Sequence, residues 1–227
     1  MQLLRTQRIY CDTVIAAACD EIGANYVGDI GEIADAVRSA DVGRPSRDAY
    51  FGLMGEFWLL DMMNWLGAKK GWDVDYPITK KVFPAGYRVM PIQPGKRVQV
   101  DYPSGESVTE FDLVASVFGL PVIGEAKSGS NSFETGQAIK KVATLRDALG
   151  WEAGFILGVP RDHEILRDGR RGRFETKGGR ILVFDADSKA LYEAARDIYR
   201  ERYRESRQAI KTTRSNRRAA RHSWRIY

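Results

Sequence analysis

The sequence predicts an α/β layer architecture, and three observations carry that expectation. Helical patterning dominates the chain up to Gly67. From Trp72 onward the texture changes to short apolar runs bounded by Gly, Pro and charged residues, which read as strands. Helical segments then alternate with those strands, so the strands are expected to form a layer flanked by helices. At 227 residues, with 44% hydrophobic and 11% aromatic residues, the chain can bury a sizeable core.

Residues 3–22 and 29–40 read as two helices, with Gly23, Gly28 and Gly31 marking the break. Pro45-Ser46 opens a third, 46–67, which Gly67 and the Lys69-Lys70-Gly71 turn close. Trp72–Ile78 is a short strand, and residues 81–100 hold one or two more. Glu110–Phe118 and Val122–Lys127 are clearer strands. Helix 134–149 follows, with Ala138, Val142, Leu145 and Leu149 along one face. Gly154–Val159 is a strand, 161–179 an exposed charged loop, and Arg180–Asp185 another strand. Ser188 caps a final helix through about Arg207. Three regions follow: a helical extension (1–45), an α/β domain (46–206) and a tail (207–227).

No apolar run reaches the length of a bilayer span. Arg5 and Arg8 interrupt any signal-peptide core at the N-terminus. A soluble, intracellular, cytoplasmic protein is expected, with no membrane partner. Cys11 and Cys19 lie in one helix, too far apart for a disulfide, and no Cys/His cluster suggests zinc. His163 and His222 are the only histidines, and neither lies near another candidate catalytic group in sequence.

The charge is uneven. The net +5 includes seven basic residues after Ser206 (Arg207, Lys211, Arg214, Arg217, Arg218, Arg221 and Arg225) and no acid there. Subtracting those seven from 35 leaves 28 basic against 30 acidic residues in 1–206, a net of −2. Such a tail suits nucleic-acid phosphates, and equally suits a solvated extension. Arg170, Arg171 and Arg173, in the Gly-rich stretch 169–180, form a second candidate contact for nucleic acid, or a solvated hairpin.

The segment Glu110 to Lys127 carries the chemistry. With Gly119-Leu120 as a two-residue hairpin loop, Phe118 pairs with Pro121, Val114 with Glu125 and Asp112 with Lys127. Cross-strand partners share a face, as do residues two apart on one strand. Asp112, Glu125 and Lys127 then converge, with Asp112 and Glu125 as diagonal neighbours. Two adjacent carboxylates repel unless a positive charge lies between them. A hard divalent cation such as Mg²⁺ takes oxygen ligands and keeps several waters; it makes water easier to deprotonate and offsets phosphate charge. Lys127 is placed to orient that water and counter developing negative charge. Without a cation, the same residues make a surface hairpin with an ordinary ion pair.

Asp112 followed by Glu125-Ala126-Lys127 at the end of an apolar strand resembles the PD-(D/E)XK nuclease superfamily, which includes restriction endonucleases, Holliday-junction resolvases and many repair and phage nucleases. Phe111 stands where the motif's name has Pro, a position that varies in that superfamily. The resemblance covers about residues 50–160 and implies a restriction-endonuclease-like core: a central mixed β-sheet flanked by helices. It implies Mg²⁺- or Mn²⁺-dependent hydrolysis of DNA, with Asp112 and Glu125 as metal ligands and Lys127 acting at the water. Many members carry a Glu on the helix before the sheet, which matches Glu56. Resolvase-like and exonuclease-like members often have a Gln on the helix after the motif, which matches Gln137, one turn before Lys141, a candidate DNA contact. Glu56 has Gly52, Leu53, Leu59 and Leu60 as helical neighbours, so it is expected to point toward the carboxylate pair rather than solvent. Gln137 and Lys141 fit a polar helix face equally well. A homodimer is compatible by analogy. The rival reading is a non-catalytic nucleic-acid-binding protein that keeps the fold.

Overall fold

The computed structural model describes residues 2–43, 45–76, 86–91, 98–130, 140–141, 153–167, 169–176 and 178–223, without the side chains of 2–9, 107–109 and 214–223. Most of the expected helix 134–149, with Gln137, lies outside the described residues.

Three helices come first: α1 (Gln2–Asn25), α2 (Ile30–Ser39) and α3 (Arg47–Lys70). Asp29 caps α2 by accepting the Gly31 and Glu32 N–H groups at 2.6 and 3.2 Å, and Ser46 caps α3 through the Ala49 N–H at 3.0 Å. Gly71, with φ of 70°, ends α3 in the left-handed conformation that glycine adopts without steric cost. α3 buries residues on most sides, from Tyr50 through Trp58 to Leu66. That pattern belongs to a helix enclosed by other elements, and α3 packs against α2, the sheet and the last helix.

Two sheets follow. The central one has the order β1 (Val74–Asp75), β5 (Leu113–Val117), β6 (Leu120–Ala126), β7 (Gly154–Pro160) and β8 (Gly179–Phe184). β1, β5 and β6 pair antiparallel, while β6, β7 and β8 pair parallel, so the sheet is mixed. The smaller sheet joins β2 (Arg88–Pro91), β3 (Val98–Asp101) and β4 (Ser107–Phe111). Residues 81–100 therefore contribute β2 and part of β3.

Strand alternation splits the central sheet into two faces. Leu113, Ala115, Val117, Val122 and Ile156 pack with Ile15 and Ile22 of α1, Ile33 and Val37 of α2, and the α3 core. Val114, Ile123, Phe155, Leu157 and Val159 pack with Val98, Val100 and Phe111 of the small sheet. α1 and α2 thus share one core with the strands. Cys11 and Cys19 are buried and form no disulfide, and burial pushes the Cys19 thiol up to about 12.

Four expectations need correction. The hairpin turn falls on Phe118-Gly119 rather than Gly119-Leu120, because both residues take positive φ (49° and 78°), the geometry of a type I′ turn. Phe118 reaches this uncommon conformation while its ring packs against Trp72, with centroids 5.1 Å apart and planes tilted by 43°. The register moves by two residues, with Val117 opposite Leu120 and Leu113 opposite Gly124. Second, Glu110–Phe118 is two strands, not one: the chain leaves the small sheet at Phe111, bends at Asp112 and enters the central sheet at Leu113. Third, 161–179 is not one loop, since Glu164–Leu166 forms a 3₁₀ turn and Arg170–Thr176 a helix, α4, anchored by buried Phe174. Fourth, the last helix, α5 (Ser188–Ser223), runs well beyond Arg207. Asp187, not Ser188, caps it, accepting the Ala190 N–H at 2.8 Å.

Close packing of α3 on β6 depends on Gly124. A Cβ there would lie 2.9 Å from both Leu113 Cβ and Leu59 Cδ2. Gly124→Ala should destabilise the fold by about 1–3 kcal/mol, the usual range for overpacking; urea denaturation at unchanged m-value would measure it, and an unaltered midpoint would contradict this packing.

Candidate active site

The β5–β6 hairpin carries Asp112 and Glu125 to the end of the sheet face that bears Val114 and Ile123. A register shift of two residues keeps every side chain on its face, because the strand repeat is two. Extending the observed ladder beyond Leu113–Gly124 places Asp112 directly across from Glu125 rather than diagonal to it. The β5–β6 ladder ends there, and the Asp112 carboxylate accepts the Ala126 N–H through Oδ2 at 2.8 Å. The bend between the two sheets is thereby tied down by an acid side chain.

Glu125 is 3% exposed and is the penultimate residue of the otherwise apolar β6. Its burial is made tolerable by two ammonium groups. Lys127 Nζ donates to Oε1 at 2.8 Å and Lys141 Nζ to Oε2 at 2.6 Å. Lys141 also donates to the Glu110 carbonyl at 2.8 Å and lies 5.9 Å from the centre of the Phe111 ring. Lys127 is fixed through its backbone, its N–H donating to the Gly158 carbonyl at 2.9 Å. Desolvation, and then the neighbouring Glu125, hold the Asp112 carboxyl up at about 6; the Ala126 N–H, Lys127 and Lys141 oppose the rise.

These groups line a cleft of about 340 Å³. α3 supplies its opposite wall with Asp48, Gly52 and Glu56. Half-buried Glu56 lines the same cleft as the carboxylate pair. Ser128 sets the approach of α3: its Oγ accepts the Gly55 N–H at 3.0 Å and lies 3.4 Å from the Gly52 carbonyl, to which it donates. Asp48 and Glu110 also line the cleft, and neither was singled out from sequence. The signals were present: Asp48, Gly52 and Glu56 recur at helical spacing, and Glu110 lies two residues before Asp112.

Other expected site residues lie elsewhere. Arg170 pairs with Glu164 at 3.6 Å and Arg171 with Glu175 at 2.8 Å, while Arg173 is exposed on α4. Arg171 lines a different, larger cleft of about 800 Å³ between α1 and β8. That cleft mixes Arg161, Arg171 and Arg180 with Asp20, Glu175 and Asp185 and contains none of the Asp112, Glu125 or Lys127 set, so the smaller cleft is the chemical candidate. Arg214, Arg217, Arg218 and Arg221 fall within α5, whose exposed surface is continuous from Tyr203 to Thr213. His163 is buried, its Nδ1 accepts the Ile165 N–H at 3.1 Å, and burial lowers its pKa.

Among the described residues, no three His, Cys, Asp or Glu side chains converge to hold a metal ion. Two neighbouring carboxylates are the kind of donor set that commonly holds Mg²⁺, with waters and substrate phosphate completing the shell; here both Glu125 oxygens accept from ammonium groups. No helix among the described residues is long and apolar enough to cross a membrane. Comparison with protein-family models, curated proteins and solved structures finds no match.

The raised Asp112 pKa gives a stability prediction. The folded value, about 6, exceeds the ordinary 3.8, so stability present below about pH 4 is lost as pH rises through 6. That difference corresponds to roughly 3 kcal/mol. Asn keeps an acceptor for the Ala126 N–H without the charge. In metal-free protein, Asp112→Asn should raise Tm by several degrees at pH 7–8, with the gain shrinking toward pH 4. Equal melting temperatures across that range would contradict the assigned environment.

Proposed function

We propose that the protein is a metal-dependent DNA nuclease of the PD-(D/E)XK type, with Mg²⁺ or Mn²⁺ as cofactor. The observation that carries this reading is the meeting of Asp112, Glu125 and Lys127 at one sheet end, in a cleft open to solvent. Asp112 and Glu125 would hold the cation, which when bound makes the attacking water easier to deprotonate and offsets charge on the phosphate. Lys127 orients the water and counters negative charge as it grows. Hydrolysis forms a bond from the water oxygen to phosphorus and breaks the bond from phosphorus to the leaving oxygen, which takes up a proton. Glu56 faces the same cleft and is assigned a supporting role. Gln137 keeps its supporting role by resemblance alone.

Asp112→Asn and Glu125→Gln should each reduce Mg²⁺-dependent cleavage of labelled DNA by at least about a hundredfold, the loss typical of removing a key electrostatic group, while both variants remain folded. A panel of single-stranded, duplex and branched DNA, with RNA controls, tests the substrate class at the same time. Cleavage at the wild-type rate by either variant would sink the assignment. Metal-dependent binding without any cleavage would favour the non-catalytic alternative.

The C-terminal helix is assigned to DNA phosphates. Its hydrogen bonds to the body include Arg202 donating to the Arg38 carbonyl and Glu201 accepting from Arg38 at 3.0 Å. Beyond them Tyr203 and Ile210 are exposed, and no acid follows Ser206. Truncation after Ser206 should flatten the log–log salt dependence of binding by about three, the value for three or four lost phosphate contacts at −0.9 each. Turnover at saturating DNA should persist. An unchanged slope with a lower Tm would instead assign the tail a packing role.

A further inference from the structure

The cation and the lysines compete for the same oxygens. Both oxygens of Glu125 already accept short hydrogen bonds from ammonium groups, at 2.8 Å from Lys127 and 2.6 Å from Lys141. Charge-assisted bonds of this length are strong, and Glu125 is buried between them. A cation shared by Asp112 and Glu125 needs one of those oxygens.

The two lysines differ in how readily they can withdraw. Lys127 follows β6 directly, its backbone is pinned to β7, and its side chain is 19% exposed. Lys141 is separated from β6 in sequence and lies in helical backbone, and its side chain is 23% exposed. Its second anchor is the carbonyl of Glu110, an exposed residue of the cleft lining. Turned away from Oε2, Lys141 would keep the Glu110 carbonyl as a partner within the same cleft lining.

We propose that Lys141 is a cation surrogate and a positioning residue: it neutralises Glu125 in the metal-free protein, then yields Oε2 to the incoming metal and transfers its charge to the substrate phosphate. Metal and phosphate consequently bind cooperatively, each relieving the cost of displacing Lys141 for the other. This role rests on the metal-dependent reading above and adds a measurable coupling that the reading alone does not require.

Mn²⁺ binding without DNA tests it, by calorimetry or by the paramagnetic signal of the free ion. Lys141→Met should bind Mn²⁺ about tenfold more tightly than the wild type, because the competing ammonium is gone. Lys141→Gln, which keeps a hydrogen-bond donor but no charge, should shift in the same direction and guards against a folding defect in the Met variant. Sodium sulfate, a soluble stand-in for phosphate, should tighten Mn²⁺ binding to the wild type relative to sodium chloride at equal ionic strength, and should not do so for Lys141→Met. Glu125→Gln should remove the binding in every background. If Glu125→Gln abolishes Mn²⁺ binding while both Lys141 variants bind as the wild type does or more weakly, the surrogate role is overturned and the metal site stands. If neither wild type nor the Lys141 variants bind Mn²⁺, both readings fall.

Discussion

The site depends on the burial of one carboxylate. Glu125 sits at the end of a strand whose preceding residues, Val122 and Ile123, are core, and an isolated charge in that position would be prohibitively costly. Lys127, directly after β6, and Lys141, from a segment distant in sequence, resolve the problem together. Once both ammonium groups are seated, the position of the helical segment holding Lys141 is coupled to β6, and the Glu110 carbonyl couples it to β4 as well. A single acid thus links the central sheet, the small sheet and the segment bearing Lys141.

The hairpin shows why much of this was legible in the sequence. Its turn was placed one residue late and its register two residues off, yet the convergence of Asp112, Glu125 and Lys127 is preserved. Any even shift preserves the face of every side chain, and the apolar residues between the two acids fix parity far more firmly than they fix register. The place of Glu56 beside the cleft was legible for a related reason: its helical neighbours Leu53 and Leu59 are buried, which keeps that side of α3 against the body. The layered α/β class followed from strand and helix periodicities of the same robust kind.

What sequence could not supply came from long-range geometry. The division of Glu110–Phe118 between two sheets leaves only a slight local mark, a single Asp112 within a run of strand formers, which also suits one continuous half-buried strand. Lys141 read as one polar residue on a helix face, because its partner Glu125 lies 16 residues away in sequence. The helix α4 was obscured by the glycines and arginines around it, although buried Phe174 organises it. Likewise α1 and α2 read as an extension, because their fit against the sheet through Ile15 and Val37 is a matter of surface complementarity rather than pattern.

Asp112 presents the sharpest contrast between folding and function. At the bend between the sheets, the fold requires an acceptor for the Ala126 N–H, and a neutral amide would supply one. A carboxylate performs the same task while desolvated and opposed by Glu125, which is why its pKa rises to about 6. The negative charge therefore adds a folding cost without adding a folding benefit. Groups held in such a state cluster at sites where the charge is used, because only an incoming positive partner recovers the lost stabilisation. A divalent cation would do so for Asp112 and Glu125 together, and would offset both the desolvation of Asp112 and its repulsion from Glu125.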